Sequence, residues 1–166
     1  MSFRDKILTF DDLPAWREHL RAAGKRLVVT NGCFDILHVG HVTYLEAARR
    51  QGDVLLVGLN SDASVRAIKG AGRPVNSERD RAVVLAALEA VDGVCVFSES
   101  DARRLLTVAQ PDIYAKGGDY TLETINQAER RLVEGSGGRV VVLGGVPGHS
   151  TTGVLRKLGP EALRKR

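Results

Sequence analysis

Five short apolar runs, Leu27–Thr30, Val54–Leu59, Val94–Phe97, Ile113–Ala115 and Val140–Leu143, alternate along this chain with stretches of helical pattern. The runs are almost continuously apolar, so each predicts a strand covered on both faces rather than one with a wet side. Helical patterns fall at about 41–51, 62–68, 78–91, 101–109 and 122–135, with a last one near 151–158. Strands alternating with helices predict a doubly wound α/β domain with a five-stranded parallel sheet. A further helix is expected at 9–24: Asp11 or Asp12 can cap it, Pro14 suits its first turn, Leu13, Trp16 and Leu20 share a face, and Gly24 ends it. No repeat or linker divides the 166 residues, so we expect one domain, with 1–25 as an N-terminal helical extension and 26–158 as the catalytic core.

Composition excludes several functions. No stretch approaches the ~20 apolar residues that span a membrane, and Met1–Lys6 leads into no apolar segment of a secretory signal. Cys33 and Cys95, far apart in apolar surroundings, read as reduced thiols of a cytoplasmic protein. Aromatic residues make up only 5% of the chain, which gives no stacking surface for nucleic acid. Part of the net charge of +4 is the tail, Arg156-Lys157 and Arg164-Lys165-Arg166, read as a solvated helix end. The remaining cations fall near glycine-rich turns and fit a small anionic ligand.

The stretch Thr30-Asn31-Gly32-Cys33-Phe34-Asp35-Ile36-Leu37-His38-Val39-Gly40-His41 joins the first strand to the next helix. His38 and His41, three apart, fall on one helix face. Gly40 between them lets a ligand approach the backbone, and the helix start adds free N–H groups and the positive end of the dipole. We read this as a phosphate site in preference to a metal pair, for which i, i+4 histidines with a third ligand would be expected, or to two surface histidines. Cys33 allows a nucleophile, but a small space-filling residue is the preferred reading. Asp35 fits a metal ligand, a partner for a cation or a turn cap equally well.

In such a sheet ligands bind beyond the carboxyl ends of the strands, and the polar, glycine-rich segments collect there. They are Asn60-Ser61-Asp62, Lys69-Gly70-Ala71-Gly72-Arg73-Pro74, Lys116-Gly117-Gly118-Asp119-Tyr120 and Gly144 to Thr152. Ser150-Thr151-Thr152 can hold phosphate oxygens at a helix start; plain capping by Ser150 explains one hydroxyl and leaves two threonines over. Lys69, Arg73, Arg79 and Arg81 border a mobile loop that could close over a triphosphate, although a solvated loop accounts for Arg79. Asp119 could accept from ribose hydroxyls, or simply serve an Asx turn. These parts suit attack of an ionised phosphate on the α-phosphate of a nucleoside triphosphate, with alignment and charge stabilisation as the catalysis.

The ordered set Thr-Asn-Gly-Cys-Phe-Asp-x-x-His-x-Gly-His, Asn-Ser-Asp, Lys-Gly-x-x-Arg-Pro-Val, Lys-Gly-Gly-Asp-Tyr and Ser-Thr-Thr resembles the cytidylyltransferase-like nucleotidyltransferase superfamily. Within it the chain is most similar to the heptose 1-phosphate adenylyltransferases, in their stand-alone form with the kinase a separate protein. The resemblance covers nearly the whole chain. It implies a Rossmann-like fold, Mg²⁺, and transfer of AMP from ATP to D-glycero-β-D-manno-heptose 1-phosphate, giving ADP-heptose for lipopolysaccharide core or surface glycan. It further implies that His38, His41, Lys69 and Arg81 are catalytic. Thr30, Asn31, Gly32, Cys33, Phe34, Gly40, Lys116, Gly118, Asp119, Tyr120, Ser150, Thr151 and Thr152 would bind nucleotide. Asp35, Asn60, Asp62, Lys69 and Arg73 would face the sugar phosphate. No protein metal ligand is expected, Mg²⁺ being carried by the phosphates, and a homodimer is expected by family analogy.

Two departures favour ATP over CTP. Glycerol-phosphate cytidylyltransferases lead into Ser-Thr-Thr with Arg-Thr-x-Gly-Ile, where this chain has Gly145-Val146-Pro147-Gly148-His149, and the tryptophan-and-acid context they show near Asp119 is missing. His149 has no assignment. The competing expectations are a cytidylyltransferase for a small alcohol phosphate such as glycerol 3-phosphate, and a nucleotide-binding module without turnover, against which the intact His38, His41 and Lys69 argue.

Overall fold

The computed structural model describes residues 2–162. Strands β1 (Ile7–Leu8), β2 (Leu27–Gly32), β3 (Val54–Asn60), β4 (Gly93–Phe97), β5 (Ile113–Gly117) and β6 (Arg139–Leu143) form one sheet. Its helices are α1 (Leu13–Ala22), α2 (Val39–Arg49), α3 (Asp62–Lys69), α4 (Glu78–Ala86), α5 (Arg103–Ala109), α6 (Gln127–Gly135) and α7 (Thr151–Ala162). The strands lie in the order β1-β4-β3-β2-β5-β6 and every neighbouring pair is parallel. The expected doubly wound sheet is therefore present with six strands instead of five. The sixth, Ile7–Leu8, pairs with Val94 and Cys95 at the edge; two residues are too few to show a period. The first 25 residues are thus more than a helical extension, and Lys6 Nζ fastens them by donating to the carbonyls of Val91 (2.7 Å) and Leu88 (3.3 Å).

Helix ends differ from the pattern for local reasons. Asp12 stands at the start of α1 but does not cap it; its carboxylate accepts from Thr9 N–H and Oγ1, both at 2.7 Å. Helix α4 stops at Ala86, short of 91, where the Leu88 and Val91 N–H groups turn back to Leu85 and Leu88 in tight three-residue steps. Helix α6 starts at 127, not 122, because Asn126 Oδ1 accepts from the N–H groups of Ala128 and Glu129 and caps it there. Helix α7 continues to Ala162 across a break at Gly159, whose φ of 75° is left-handed. Arg164, Lys165 and Arg166, read as part of a solvated tail, lie outside the described residues.

Two-residue alternation divides the core into two layers. Leu27 and Val29 of β2, Cys95 and Phe97 of β4 and Tyr114 of β5 face one side, with Leu13 and Leu20 of α1, Leu105 and Leu106 of α5 and Val133 of α6. Val28, Val94, Ile113 and Ala115 face the other, with Leu45 and Ala48 of α2 and Leu85 and Ala86 of α4. Both faces are covered, which is why the strand runs carry no polar alternation. From β2 the chain first winds through β3 to β4, then returns to place β5 on the opposite side of β2. The crevice between the ends of β2 and β5 is the switch point at which such sheets bind ligands.

Candidate active site

A cavity of about 880 Å³ opens at that switch point. The chain leaves β2 through a turn in which Phe34, a buried aromatic residue, holds a left-handed φ of 44°, a strained conformation of the kind that gathers at functional sites. The turn delivers His38 to the position before α2 and His41 to its first turn. Their rings stack with centroids 3.9 Å apart and planes 29° apart, and Phe34 lies against His41 at 5.3 Å. Both Nδ1 atoms are buried without a hydrogen-bond partner among the described residues. A buried polar atom left unpaired costs about 1–3 kcal/mol, a cost that a hydrogen-bonding ligand could relieve. Burial, followed by the neighbouring His38, lowers the pKa of His41 to about 4; burial and then His149 lower that of His38. Burial thus favours the neutral form of both rings. At Gly40 a Cβ would sit 2.9 Å from His38 Nδ1, so the missing side chain makes room for the imidazole itself.

One wall is built by a buried ionic frame. The Asp35 carboxylate accepts from Arg73 Nε (2.8 Å) and from the N–H groups of Val75 (2.9 Å) and Asn76 (3.0 Å). Burial alone would raise its pKa; these donors overcome that and hold the carboxyl below its usual value. Asp35 thus serves both as partner of a cation and as a cap for backbone N–H groups, holding the loop that follows Lys69. Arg81 is 2% exposed and does not line the cavity. Its guanidinium donates to the carbonyls of Asn76 (3.0 Å), Cys33 (2.6 Å) and Asn60 (2.8 Å) and to Asp62 Oδ1 (2.8 Å). In the structure Arg81 is committed to Asp62 and to backbone carbonyls, bracing the site from behind, and neither Arg81 nor Asp62 lines the cavity. Asn60 reaches the wall, but its Nδ2 is committed to Ser64 Oγ at 2.9 Å. Burial raises the Cys33 thiol pKa against the pull of Lys69, Arg81 and Arg73, which favours the space-filling reading.

The opposite wall comes from β5 and the loops beyond it. Lys116, Gly118, Asp119 and Tyr120 line the cavity, with Lys116 Nζ 5.4 Å from the Tyr120 ring centre. Ser150, Thr151 and Thr152 close the rim. Ser150 Oγ accepts from Gly153 N–H at 3.0 Å, the cap expected of it. Thr151 Oγ1 lies 3.4 Å from the Ile36 carbonyl, and the Thr152 hydroxyl has no partner among the described residues. His149, unassigned from sequence, stands 6.4 Å from His38 with its ring nearly parallel. Thr30 lies beneath the floor, 1% exposed, with its hydroxyl 2.7 Å from Tyr44 Oη. The remaining expected residues, Asn31, Gly32, Cys33, Phe34, Asp35, His38, Gly40, His41, Lys69 and Arg73, all reach the cavity.

Sequence reasoning missed Tyr114, Ser100, Asp101, Asn126 and Glu129. Tyr114 Oη lies 2.6 Å from Asn31 Oδ1 and 2.8 Å from Glu129 Oε2, and its single proton serves one of the two. A signal existed for two of them: Tyr114 is two residues before Lys116 on the same strand face, and Glu129 sits four before the buried Val133 on α6. Among the described residues no group of three His, Cys, Asp or Glu side chains is placed to hold a metal ion, and no helix is long and apolar enough to cross a membrane.

Comparison with known proteins agrees with this geometry. The chain is 52% identical over 155 residues to the bifunctional protein HldE of Methylobacillus flagellatus, covering 93% of this chain and 31% of that one. It is 51% identical over 152 residues to HldE of Pseudomonas aeruginosa, covering 92% and 32%. The chain thus spans about a third of the length of these relatives. A crystal structure of the lipopolysaccharide core biosynthesis protein from Thermoplasma volcanium superposes with a TM-score of 0.61 at 29% identity, covering 74% of this chain and 98% of that one. Pantoate–β-alanine ligase from Francisella tularensis, at 16% identity and a TM-score of 0.62 over 83% of this chain and 66% of that one, shares the fold. A family profile described as cytidylyltransferase-like matches residues 29–143, from the middle of β2 to the end of β6. That span takes in the histidine pair and the whole switch point, and the chain belongs to the cytidylyltransferase-like family.

Proposed function

We propose that this protein transfers AMP from ATP to D-glycero-β-D-manno-heptose 1-phosphate, forming ADP-heptose and pyrophosphate. The observation that carries the reading is the stacked, unpartnered His38–His41 pair at the start of α2, sharing one cavity with Lys69 and Thr152. The choice of heptose phosphate rests on the motif resemblance and is supported by the half-identity to HldE proteins over one third of their length.

In this reading an oxygen of the sugar phosphate attacks the α-phosphorus of ATP in line, and the bond from that phosphorus to the pyrophosphate oxygen breaks. The acceptor is already ionised, so no strong base is required. His38 and His41, with the helix N-terminus, meet the triphosphate and stabilise the charge growing on the leaving group. Lys69 bridges the two phosphates. Gly118, Asp119 and Tyr120 take base and ribose, and Ser150 to Thr152 the outer phosphates. The cavity offers imidazoles, ammonium groups and hydroxyls; of its carboxylates Asp35 is bound to Arg73, Asp101 to Arg103 and Glu129 to the Ala102 N–H and Tyr114, which leaves Asp119. That donor set suits phosphate oxygens, so Mg²⁺ would be held by the phosphates and supply charge neutralisation there. The reading includes one domain, a cytoplasmic setting and a homodimer, the last by family likeness.

The test is pyrophosphate release with Mg²⁺, offering ATP or CTP against heptose 1-phosphate or glycerol 3-phosphate. Release with ATP and the heptose phosphate alone is expected. Release with CTP and glycerol 3-phosphate alone would replace the reading with a cytidylyltransferase, and no release from any pair would leave a binding module.

A further inference from the structure

Two residues that sequence reasoning missed, Tyr114 and Glu129, join two that it expected to bind nucleotide, Asn31 and Lys116, in one chain of contacts. Glu129, on α6, is 4% exposed; its Oε1 accepts from the Ala102 N–H at 2.8 Å and its Oε2 meets Tyr114 Oη at 2.8 Å. Tyr114 Oη lies 2.6 Å from Asn31 Oδ1, and Lys116 Nζ donates to Asn31 Oδ1 (3.0 Å) and Tyr114 Oη (3.2 Å). Three separate elements, β2, β5 and α6, are joined this way beside the cavity, which Asn31, Lys116 and Glu129 all line.

The contacts determine what the wall presents. An ammonium group only donates, so the Asn31 atom facing Lys116 is the carbonyl oxygen, and the amide Nδ2 is left with no partner among the described residues. Lys116 places two of its three N–H bonds on Asn31 and Tyr114 and keeps one over. Two donors on one wall suit an oxyanion. Ser100 lines the same cavity, exposed, with a hydroxyl that has no partner among the described residues, and Asn126, also in the lining, has an Nδ2 without a partner among them. Donors for a charged oxygen beside neutral groups for hydroxyls form a surface for a phosphorylated polyol.

The sugar phosphate needs such a place, because of the residues expected to face it only Lys69 is without a partner among the described residues. Asp62 is bound to Arg81, Asp35 to Arg73 and backbone, and Asn60 Nδ2 to Ser64. We propose that the Asn31–Lys116 wall, with Ser100 and Asn126, is the acceptor subsite. In it Glu129 is a positioning residue that acts through Tyr114 to fix the two donors. The inference rests on the sugar-phosphate transferase reading and says where in that site the acceptor lies.

The test is calorimetric binding of heptose 1-phosphate and, separately, of ATP, together with steady-state turnover, in Tyr114→Phe, Ser100→Leu and Glu129→Gln. Tyr114→Phe removes one oxygen from the relay and keeps the ring. It should weaken the sugar phosphate, in Kd and KM, by about tenfold while ATP stays within twofold. Ser100→Leu, at an exposed position free of hydrogen bonds, should do the same by filling the subsite and does not threaten folding. Glu129→Gln keeps an acceptor for Ala102 and a partner for Tyr114, and should retain near wild-type affinity. Unchanged sugar-phosphate affinity in Tyr114→Phe and Ser100→Leu would overturn the assignment, as would a loss of ATP affinity equal to that of the sugar phosphate. Wild-type turnover without the split defeats the subsite alone. Wild-type binding with the split but without turnover defeats the transferase reading alone. A wild-type protein that does not bind heptose 1-phosphate defeats both.

Discussion

His38 and His41 stack ring on ring, 3.9 Å between centroids, with neither Nδ1 satisfied among the described residues. Side by side at a helix start, two imidazoles would repel each other if both were charged, and burial already disfavours that charge. An anion between them and the helix N-terminus removes both penalties.

Replacing His41 by Ala should therefore lower kcat about 10²–10³-fold, the usual loss for one donor to a developing charge, while ATP affinity changes little. Single-turnover kinetics beside calorimetric ATP binding checks this. Turnover near the wild-type rate would remove the histidine pair from the mechanism.

Proton uptake should accompany ATP binding. The His41 pKa of about 4 in the free protein rises when a triphosphate supplies the opposing charge, so binding near pH 6.5 takes up a proton and tightens as pH falls from 8 to 6. Calorimetry in two buffers of different ionisation enthalpy measures the uptake directly. The same depression affects stability. An unfolded imidazole titrates near 6.5, so between about pH 6.5 and 4 the unfolded chain binds more protons, and stability falls as pH drops through that window. Solvent screening of a partly exposed ring holds the effect to about 1–2 kcal/mol, read as the difference between wild type and His41→Asn in denaturant melts at pH 7.5 and 4.5.

Much of this was legible in the residues. The five apolar runs became β2 to β6 with ends shifted by no more than two residues, because a strand buried on both faces has no polar position to blur it. The histidine pair was legible because spacing in a helix implies contact. Edge strand β1 was not, having two residues and one neighbour. The direction of Arg81 was not legible: a motif shows that a guanidinium is needed, but not which way it points, and here backbone carbonyls take it. The Tyr114–Glu129 contact joins residues 15 apart on different elements, and no local pattern reports it.

Arg81 and Lys69 should respond in opposite ways. Arg81→Met leaves Asp62 Oδ1 and the Cys33 and Asn60 carbonyls without their donor. Breaking a buried pair costs about 3–5 kcal/mol, so a large fall in Tm is expected. Lys69 is exposed at the end of α3 and makes no hydrogen bond among the described residues. Lys69→Ala should leave stability within about 0.5 kcal/mol while turnover falls at least tenfold. Equal loss of Tm in both variants would contradict this division.

Gly117 lies close against the Tyr44 ring in the cavity lining. A Cβ at Gly117 would stand 2.5 Å from Tyr44 Cε2 and 2.7 Å from Cδ2. The ring has little freedom to retreat, since its hydroxyl is bound to Thr30 at 2.7 Å, and burial, against that bond, pushes the phenol pKa up to about 12. Gly117→Ala should therefore cost about 1–3 kcal/mol from overpacking. The cause can be isolated by a double-mutant cycle with Tyr44→Leu, which removes the ring edge. In that background Gly117→Ala should cost less than half as much by denaturant melts. An equal cost in both backgrounds would mean that the backbone of β5, and not Tyr44, requires the glycine.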